Sequence, residues 1–309
     1  MDISAGLRRI LDAERALMPR DVYEVGSMLS YDERLLLHWA ARTGPPGAIV
    51  DLGSFLGGST LTLARGAEHR GAKVDAFDLF VCRGDWETMW APDGFELALG
   101  DPTRPAFEHN IARVRDRVTV HEGDVRTQEW QAPIGVLFVD ITKSWATADA
   151  VWRTFLPSLE PSALVIQQDL VHWGHPWCAV VMEHLSEDFE YLGWVGYSSA
   201  VYRCRRPPIK VPVPMLERFS CDDMLSLIER AAERVGEPAS GAIRLSAVFV
   251  FAAVGRFDDA RIRVAEIRSS YNDSALPYIE EGLTYLDRWI DDAQAGRTPI
   301  LRDSEVNAN

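Results

Sequence analysis

The sequence predicts an α/β protein with a doubly wound, Rossmann-like sheet, followed by a C-terminal α-helical domain. Three observations support this prediction. Short apolar segments alternate with helical segments over residues 1–206, polar residues follow the ends of the apolar segments, and the alternation stops at a proline-rich stretch, residues 207–214. Ligands of open α/β sheets bind outside the carboxyl ends of the strands. The polar residues at those ends are therefore candidates for a binding site.

Composition and charge restrict the class of protein. The chain has 309 residues, 47% hydrophobic and 25% charged, which is typical of globular proteins of about two domains. Its net charge of −14 argues against nucleic-acid binding, which depends on clustered basic residues. Residues 1–20 contain many charges and no apolar core, so we expect no signal peptide, no membrane association and a cytoplasmic location. The cysteines form no C-x-x-C pair and are expected to be reduced and mostly structural.

Two helices are predicted ahead of the first strand. Apolar residues at helical spacing predict a helix within residues 2–17. Ser30 and Glu33 form a capping-box pattern that starts a second helix, which Gly44 and the following prolines end. We expect this second helix to lie where it covers a bound cofactor.

The stretch Ala48–Ala64, AIVDLGSFLGGSTLTLA, reads as a strand, a tight loop and a helix. Gly53, Gly57 and Gly58 let the backbone approach a ligand closely, and N–H groups at the helix start favour polar or anionic groups. The dinucleotide pattern G-x-G-x-x-G requires glycine at position 55, where this chain has Phe55. The stretch therefore favours a different nucleoside-bearing cofactor.

Five strands are predicted, each of which ends at or just before polar side chains. They are Ile49–Val50, followed by Asp51; Lys73–Phe80, which contains Asp78; Val118–Val120, followed by Glu122, Gly123 and Asp124; Gly135–Val139, followed by Asp140; and Leu164–Ile166, followed by Gln168 and Asp169. Helical segments at 59–64, 106–115 and 145–156 separate several of them. The long segment 81–105 has the length of a lid or a binding loop, although a surface excursion fits equally well.

Beyond the linker, residues 215–309 are predicted to form a helical bundle of four segments. Ser220 and Asp223 start the first segment, and residues 242–254 form a largely apolar second segment. Amphipathic stripes at 257–271 and 279–290 mark the other two. We expect the bundle to pack on the α/β domain or to mediate a homodimer.

The segments VDLGSFLGGST, FDLF, AFEHNIARVRDRVTVHEGDV, LFVDITKSW and LVIQQDL, in this order, resemble class I S-adenosylmethionine-dependent O-methyltransferases. The resemblance spans roughly residues 30–203, and the most similar members are the macrocin O-methyltransferase-like enzymes of natural-product biosynthesis. It implies a methionine-binding glycine loop, an Asp78 that binds the ribose hydroxyls and an Asp124 near the adenine. The cofactor-binding residues that it implies are Asp51, Gly53, Ser54, Gly57, Gly58, Ser59, Asp78, Asp124 and Asp140.

Two groups of residues are candidates for chemistry on the acceptor. Asp140 and Lys143 have the spacing found in catechol-type O-methyltransferases, which implies a metal ligand and a base, respectively. The implied metal site of Asp140, Gln168 and Asp169 would take Mg²⁺ through hard oxygen ligands, but neutral Gln168 replaces an acid of metal-dependent relatives.

His172 and His175 are the alternative catalytic candidates. They follow Asp169 closely and offer either a base relay with that carboxylate or ligands for a softer metal. A histidine in such a tryptophan-rich loop also has a structural interpretation.

The predicted function is an S-adenosylmethionine-dependent O-methyltransferase that modifies a sugar or phenolic hydroxyl of a small secondary metabolite. Tryptophans at positions 86, 90, 173 and 177 are expected to line the acceptor pocket. A nicotinamide-dependent oxidoreductase is one alternative, which Phe55 disfavours. A cofactor-binding module that does not methylate and recruits a partner through its helical tail is the other, and Gln168 keeps it open.

Overall fold

The computed structural model describes residues 5–84, 88–207, 219–271 and 277–298, without the side chains of residues 5 and 277. Trp86, most of the predicted linker and residues 2–4 of the predicted first helix lie outside these ranges. The strands are β1 (Ala48–Leu52), β2 (Val74–Asp78), β3 (Val118–Glu122), β4 (Ile134–Val139), β5 (Leu159–Gln167), β6 (Phe189–Val195) and β7 (Ser199–Cys204).

Helices cover both faces of the sheet and form the C-terminal bundle. The helices of the described residues are α1 (Ala5–Glu14), α2 (Tyr31–Thr43), α3 (Gly58–Ala67), α4 (Arg104–Asn110), α5 (Trp145–Phe155), α6 (Pro176–His184), α7 (Cys221–Val235), α8 (Ser240–Leu245), α9 (Ala247–Ala253), α10 (Phe257–Ser270) and α11 (Pro277–Gln294). Within those ranges, no helix has the length and apolar character needed to cross a lipid bilayer.

The sheet has the order β3-β2-β1-β4-β5-β7-β6. Strands β1 to β5 are parallel, and β7 pairs antiparallel with both β5 and β6. The order reverses between β1 and β4, and ligands of doubly wound sheets bind at such a switch point. The predicted fold class and its five parallel strands are confirmed.

The antiparallel β6–β7 hairpin was not predicted. Its pairing register shifts between Tyr191 and Gly193, and Gly193 has a φ of 138°. An irregularity of this kind interrupts the alternation of inward and outward side chains that identifies a strand in a sequence. The hairpin matters for the site, because β7 lies beside β5.

Helix α2 begins with the predicted capping box. The Ser30 N–H donates to Glu33 Oε2 at 2.8 Å, and the Glu33 N–H donates to Ser30 Oγ at 3.3 Å. The helix packs closely on α3 because Gly66 has no Cβ, which would collide with the His38 carbonyl oxygen. Residues 27–29, just before α2, line a cavity together with Gly53 and Asp140. Met28 is the most exposed of the three.

The C-terminal bundle packs on the α/β part through a shared apolar core. Trp173, in the loop after β5, stacks at 6.1 Å between ring centroids on Phe249 of α9 and lies 5.0 Å from Tyr285 of α11. The predicted second helix is divided into α8 and α9 around Ser246, whose hydroxyl donates to the Ile243 carbonyl oxygen at 2.6 Å. Packing on the α/β part is confirmed, and the homodimer remains a prediction.

Candidate active site

The loop between β1 and α3 turns sharply at its glycines. Gly53 and Gly57 both have a φ of 93°, which residues with side chains rarely adopt. A Cβ at position 53 would collide with the Asp140 carbonyl oxygen, and one at position 58 would lie 2.6 Å from Ser27 Cβ. Glycine is therefore needed where the loops after β1 and β4 meet, as the sequence predicted for a ligand-binding turn.

Asp78 holds two loops in place at the end of β2. Its Oδ2 accepts the Phe55 N–H at 2.8 Å, and its Oδ1 accepts the Phe80 N–H at 2.7 Å. Each carboxylate oxygen can accept a further hydrogen bond, and Asp78 lines the cleft. The predicted ribose ligand is thus also the residue that fixes the glycine loop.

Asp51 is fully buried at the end of β1. Its Oδ2 accepts hydrogen bonds from Ser59 Oγ at 3.0 Å and Thr60 Oγ1 at 2.5 Å, whereas its Oδ1 has no partner among the described residues. Burial raises the pKa of Asp51 to about 6, against the lowering effect of the Thr60 and Ser59 hydroxyls. Asp51 therefore anchors the start of α3 and leaves one buried oxygen beside the glycine turn.

A cleft runs along the carboxyl ends of the central strands. A cavity of about 250 Å³ joins Gly53, Phe55 and Asp78 to Asp140 and Lys143. Other residues also line the cleft. They are Met28, Leu79, Val81, Arg83, Thr103 and Ile141. Val81, Arg83 and Thr103 belong to the segment 81–105, for which a binding loop was one of the two interpretations.

Asp124 lies beside an adjoining cavity of about 200 Å³, which shares Lys143 with the first. The Arg126 side chain donates to both of its carboxylate oxygens, with Nε 2.9 Å from Oδ2, and these hydrogen bonds lower the pKa of Asp124. The carboxylate also caps the following turn by accepting the Arg126 N–H at 2.9 Å. The adenine contact predicted for Asp124 remains a prediction.

A charged cluster, defined as Asp140, Lys143, Asp169 and His175, lies where β4 and β5 end. Lys143 Nζ donates to Asp140 Oδ1 at 2.9 Å and also to Asp169 Oδ2. His175 Nε2 lies 3.5 Å from Asp169 Oδ2. The Lys143 side chain is 41% exposed, so the cluster is accessible from the cleft.

The cluster separates the pKa values of its members. Burial raises the pKa of Asp140 to about 7, although Lys143 opposes the rise. Burial also disfavours ionised Asp169, but the charge of Lys143 outweighs it and holds the pKa of Asp169 below its usual range. Burial would lower the pKa of Lys143, but the two carboxylates raise it, which favours a protonated hydrogen-bond donor over the base that the resemblance implied.

The two histidines have different surroundings. Burial lowers the pKa of His175 to about 3, so its imidazole is neutral, and its Nδ1 has no hydrogen-bond partner among the described residues. His172 Nδ1 accepts the Gly174 N–H at 2.9 Å, and its ring lies 5.1 Å from that of Tyr278. Of the two, only His175 joins the charged cluster.

The residues of the predicted Mg²⁺ site do not fit a metal ion. The Lys143 ammonium stands between Asp140 and Asp169, and Gln168 Oε1 is hydrogen-bonded to the Ser199 hydroxyl. Within the described ranges, no group of three or more histidine, cysteine, aspartate or glutamate side chains is arranged to hold a metal.

The three predicted acceptor-pocket tryptophans that the structure describes do not line the cleft. Trp177 is buried and donates its Nε1–H to the Thr142 carbonyl oxygen at 2.6 Å, and Trp173 packs against the bundle. Trp90 lines a different cavity, beside Met89 and Arg113. The Trp173 and Trp177 rings are used for packing, and a sequence does not distinguish that role from stacking on a ligand.

Three residues other than glycine adopt a left-handed backbone just beyond strand ends. Phe55, Phe80 and Asp169 follow β1, β2 and β5 and have φ values of 48°, 54° and 64°; Ser162 is the other such residue of the described part. Such conformations cluster at functional sites, where the surrounding structure enforces them. Of the three, Phe55 lines the cleft and Asp169 belongs to the charged cluster.

Comparison with known proteins agrees with the fold and the cleft. A family described as a methyltransferase domain matches residues 50–170, from β1 to just beyond β5. No curated protein matches the chain.

Several solved structures are similar. They include the O-methyltransferase NovP, with 16% identity over 66% of this chain and 100% of that chain (TM-score 0.45). The calicheamicin methyltransferase CalS11 has 16% identity over 65% of this chain and 91% of that chain (TM-score 0.40). TomG from Streptomyces achromogenes, an O-methyltransferase involved in tomaymycin synthesis, has 20% identity over 65% of this chain and 90% of that chain (TM-score 0.42).

The matched segment contains the glycine loop, Asp78 and the Asp140–Lys143 pair. The strand order and the cleft at the switch point agree with this match. Residues 50–170 therefore match a methyltransferase domain, and the strand order is that of a doubly wound, Rossmann-like sheet.

Proposed function

We propose that the protein transfers a methyl group from S-adenosylmethionine to a hydroxyl oxygen of a small molecule, a sugar or a phenol. One observation carries the proposal: a single cavity joins the glycine loop and Asp78 to Asp140 and Lys143. Direct transfer requires donor and acceptor atoms to be held about 3–3.5 Å apart, so both binding regions must share one space.

The donor half of the cleft, defined as residues 51–59 with Asp78, fits the cofactor. Asp78 would accept hydrogen bonds from a ribose diol through its remaining lone pairs, and the glycine turn would admit close backbone contact. The unpaired Asp51 oxygen suits a cationic amino group, whose approach would favour the ionised carboxylate. When bound, S-adenosylmethionine supplies a methyl group already activated by its sulfonium.

The acceptor half is defined as the charged cluster with Tyr278 of α11. It would remove the proton of the acceptor hydroxyl. Asp140 has a pKa of about 7, which suits a general base at neutral pH. The adjacent Lys143 ammonium would donate a hydrogen bond to the acceptor oxygen and stabilise the negative charge that develops on it. His175, neutral and next to Asp169, would orient that carboxylate.

Aromatic residues near this half favour a ring-shaped acceptor. Tyr278 of α11 lies 5.1 Å from His172 and 5.9 Å from Tyr197, measured between ring centroids. Tyrosine rings offer an apolar face and a polar edge, which suits sugars and phenols. The helical bundle would thus contribute a wall of the acceptor site.

Calorimetric titration with S-adenosylmethionine, followed by methyl-transfer assays, tests the proposal. The assays would use a panel of phenols, catechols and nucleotide-activated sugars, with product detection by mass spectrometry. We expect one binding site per chain and a product that carries one added methyl group. Absence of binding heat for the wild-type protein would reject the proposal, and binding without transfer would favour the non-methylating alternative.

A further inference from the structure

Lys143 Nζ contacts both carboxylates of the implied metal site. The ammonium donates to one oxygen of Asp140, at 2.9 Å, and to one oxygen of Asp169. Two carboxylates that face each other at the ends of neighbouring strands form a typical half-site for a divalent cation. Here a cation that belongs to the chain already bridges them.

The third oxygen of the implied metal site is also engaged. Gln168 Oε1 contacts the Ser199 hydroxyl of β7, whose single proton is donated either to that oxygen or to Glu33 Oε1 of α2, 2.9 Å from Ser199 Oγ. The amide is therefore held toward the β7 side by a connected polar group. Two independent contacts, one at the carboxylates and one at the amide, act against a metal.

We propose that the Lys143 ammonium is a built-in replacement for a divalent cation, so that the site takes no metal while the lysine is present. This inference rests on the proposed function, because it concerns the acceptor side of the same site. The ammonium balances one of the two carboxylate charges and presents a hydrogen-bond donor to the cleft. A divalent ion would need the volume that Nζ occupies, so the two cations exclude each other. Removal of the ammonium should expose a site for a hard cation.

Titration of the protein with MnCl₂ by calorimetry in metal-free buffer tests this exclusion without an acceptor. We expect the wild-type protein to show no saturable binding up to about 1 mM, and Lys143→Met to bind one Mn²⁺ with a dissociation constant of about 0.1–1 mM, as for weak oxygen-ligand sites. The double variant Lys143→Met/Asp169→Asn should lose this binding. Lys73→Met, which removes the same charge from an exposed site, should not gain it.

Two outcomes would overturn the proposal. One is saturable Mn²⁺ binding by the wild-type protein that Asp169→Asn abolishes, a measurement that holds even if Lys143→Met does not fold. The other is a Lys143→Met protein that keeps the wild-type melting temperature and gains no Mn²⁺ site. A parallel titration with S-adenosylmethionine distinguishes failure of this inference from failure of the proposed function. Absence of S-adenosylmethionine binding would contradict the proposed function, whereas only the Mn²⁺ titration tests the exclusion of a metal.

Discussion

The two halves of the cleft are constructed differently. In the donor half, main-chain groups dominate: glycines with a φ of 93° form the turn, and Asp78 accepts the N–H groups of Phe55 and Phe80. In the acceptor half, charged side chains dominate, and Tyr278 comes from the distant C-terminal bundle. The difference indicates that donor binding depends on a locally encoded backbone, whereas acceptor chemistry depends on contacts between distant parts of the chain.

The largest expected effect belongs to the acceptor half. Lys143→Met should lower turnover about 10²–10⁴-fold, because the oxyanion loses its hydrogen-bond donor and Asp140 loses its partner. The dissociation constant of S-adenosylmethionine should change less than about threefold. Initial rates in the presence of a chelator, combined with calorimetry, measure both quantities. If the affinity for S-adenosylmethionine fell by the same factor as turnover, Lys143 would not act on the acceptor half alone, and the two halves would not differ in function.

A change in the donor half should have the opposite signature. Asp78→Asn should weaken S-adenosylmethionine binding about 10–100-fold, or ~1.4–2.7 kcal/mol, since an amide replaces a charged acceptor of the ribose and of the Phe55 N–H. Turnover at saturating donor should remain within about threefold. Calorimetry and saturation kinetics provide the test, with the melting temperature as control. A fall in turnover alone would contradict the assignment of Asp78.

Asp51 links the donor half to stability. Its pKa in the folded protein, about 6, exceeds the ordinary 3.8, so its contribution to stability is present below about pH 4 and is lost as the pH rises through 6. Relative to Asp51→Asn, the wild-type free energy of unfolding should therefore fall by up to about 3 kcal/mol between pH 4 and pH 7. Urea unfolding at several pH values checks this, and parallel pH curves for the two proteins would refute it.

The smallest expected effect concerns the aromatic wall. Tyr278→Ala should raise the KM for the acceptor about 2–10-fold, the range of a single aromatic contact, with donor affinity unchanged. Tyr278→Phe should restore most of the loss, because the ring face is retained. Steady-state kinetics with an acceptor from the panel measures the change. An unchanged KM in Tyr278→Ala would place the acceptor away from the bundle.

Local patterns explain which parts of the structure were predictable. The capping box of Ser30 and Glu33 involves residues within one turn, and the parallel strands contain short apolar segments, of which β4 (Ile134–Val139) is the longest. Because the carboxyl ends of parallel strands meet at one edge, the clustering of Asp78, Asp140 and Asp169 near a common cleft also followed from the sequence.

Other features depend on contacts that no local pattern records. The orientation of Gln168 is set by Ser199 of β7, a strand that the sequence did not reveal. The hydrogen bonds of Lys143 to both carboxylates depend on the relative positions of the loops after β4 and β5. For the same reason, burial of Trp173 and Trp177 could not be distinguished from exposure to a ligand.

The left-handed backbone of Phe55, with a φ of 48°, has an evolutionary consequence. For a residue with a side chain this conformation costs about 1–2 kcal/mol, a notable part of the stability of an ordinary domain. Glycine at position 55 would relieve that cost, widen the cleft and, with Gly53 and Gly58, complete the pattern G-x-G-x-x-G. One substitution, Phe55→Gly, thus separates this loop from the dinucleotide-binding pattern, and the phenylalanine keeps the loop distinct from that pattern.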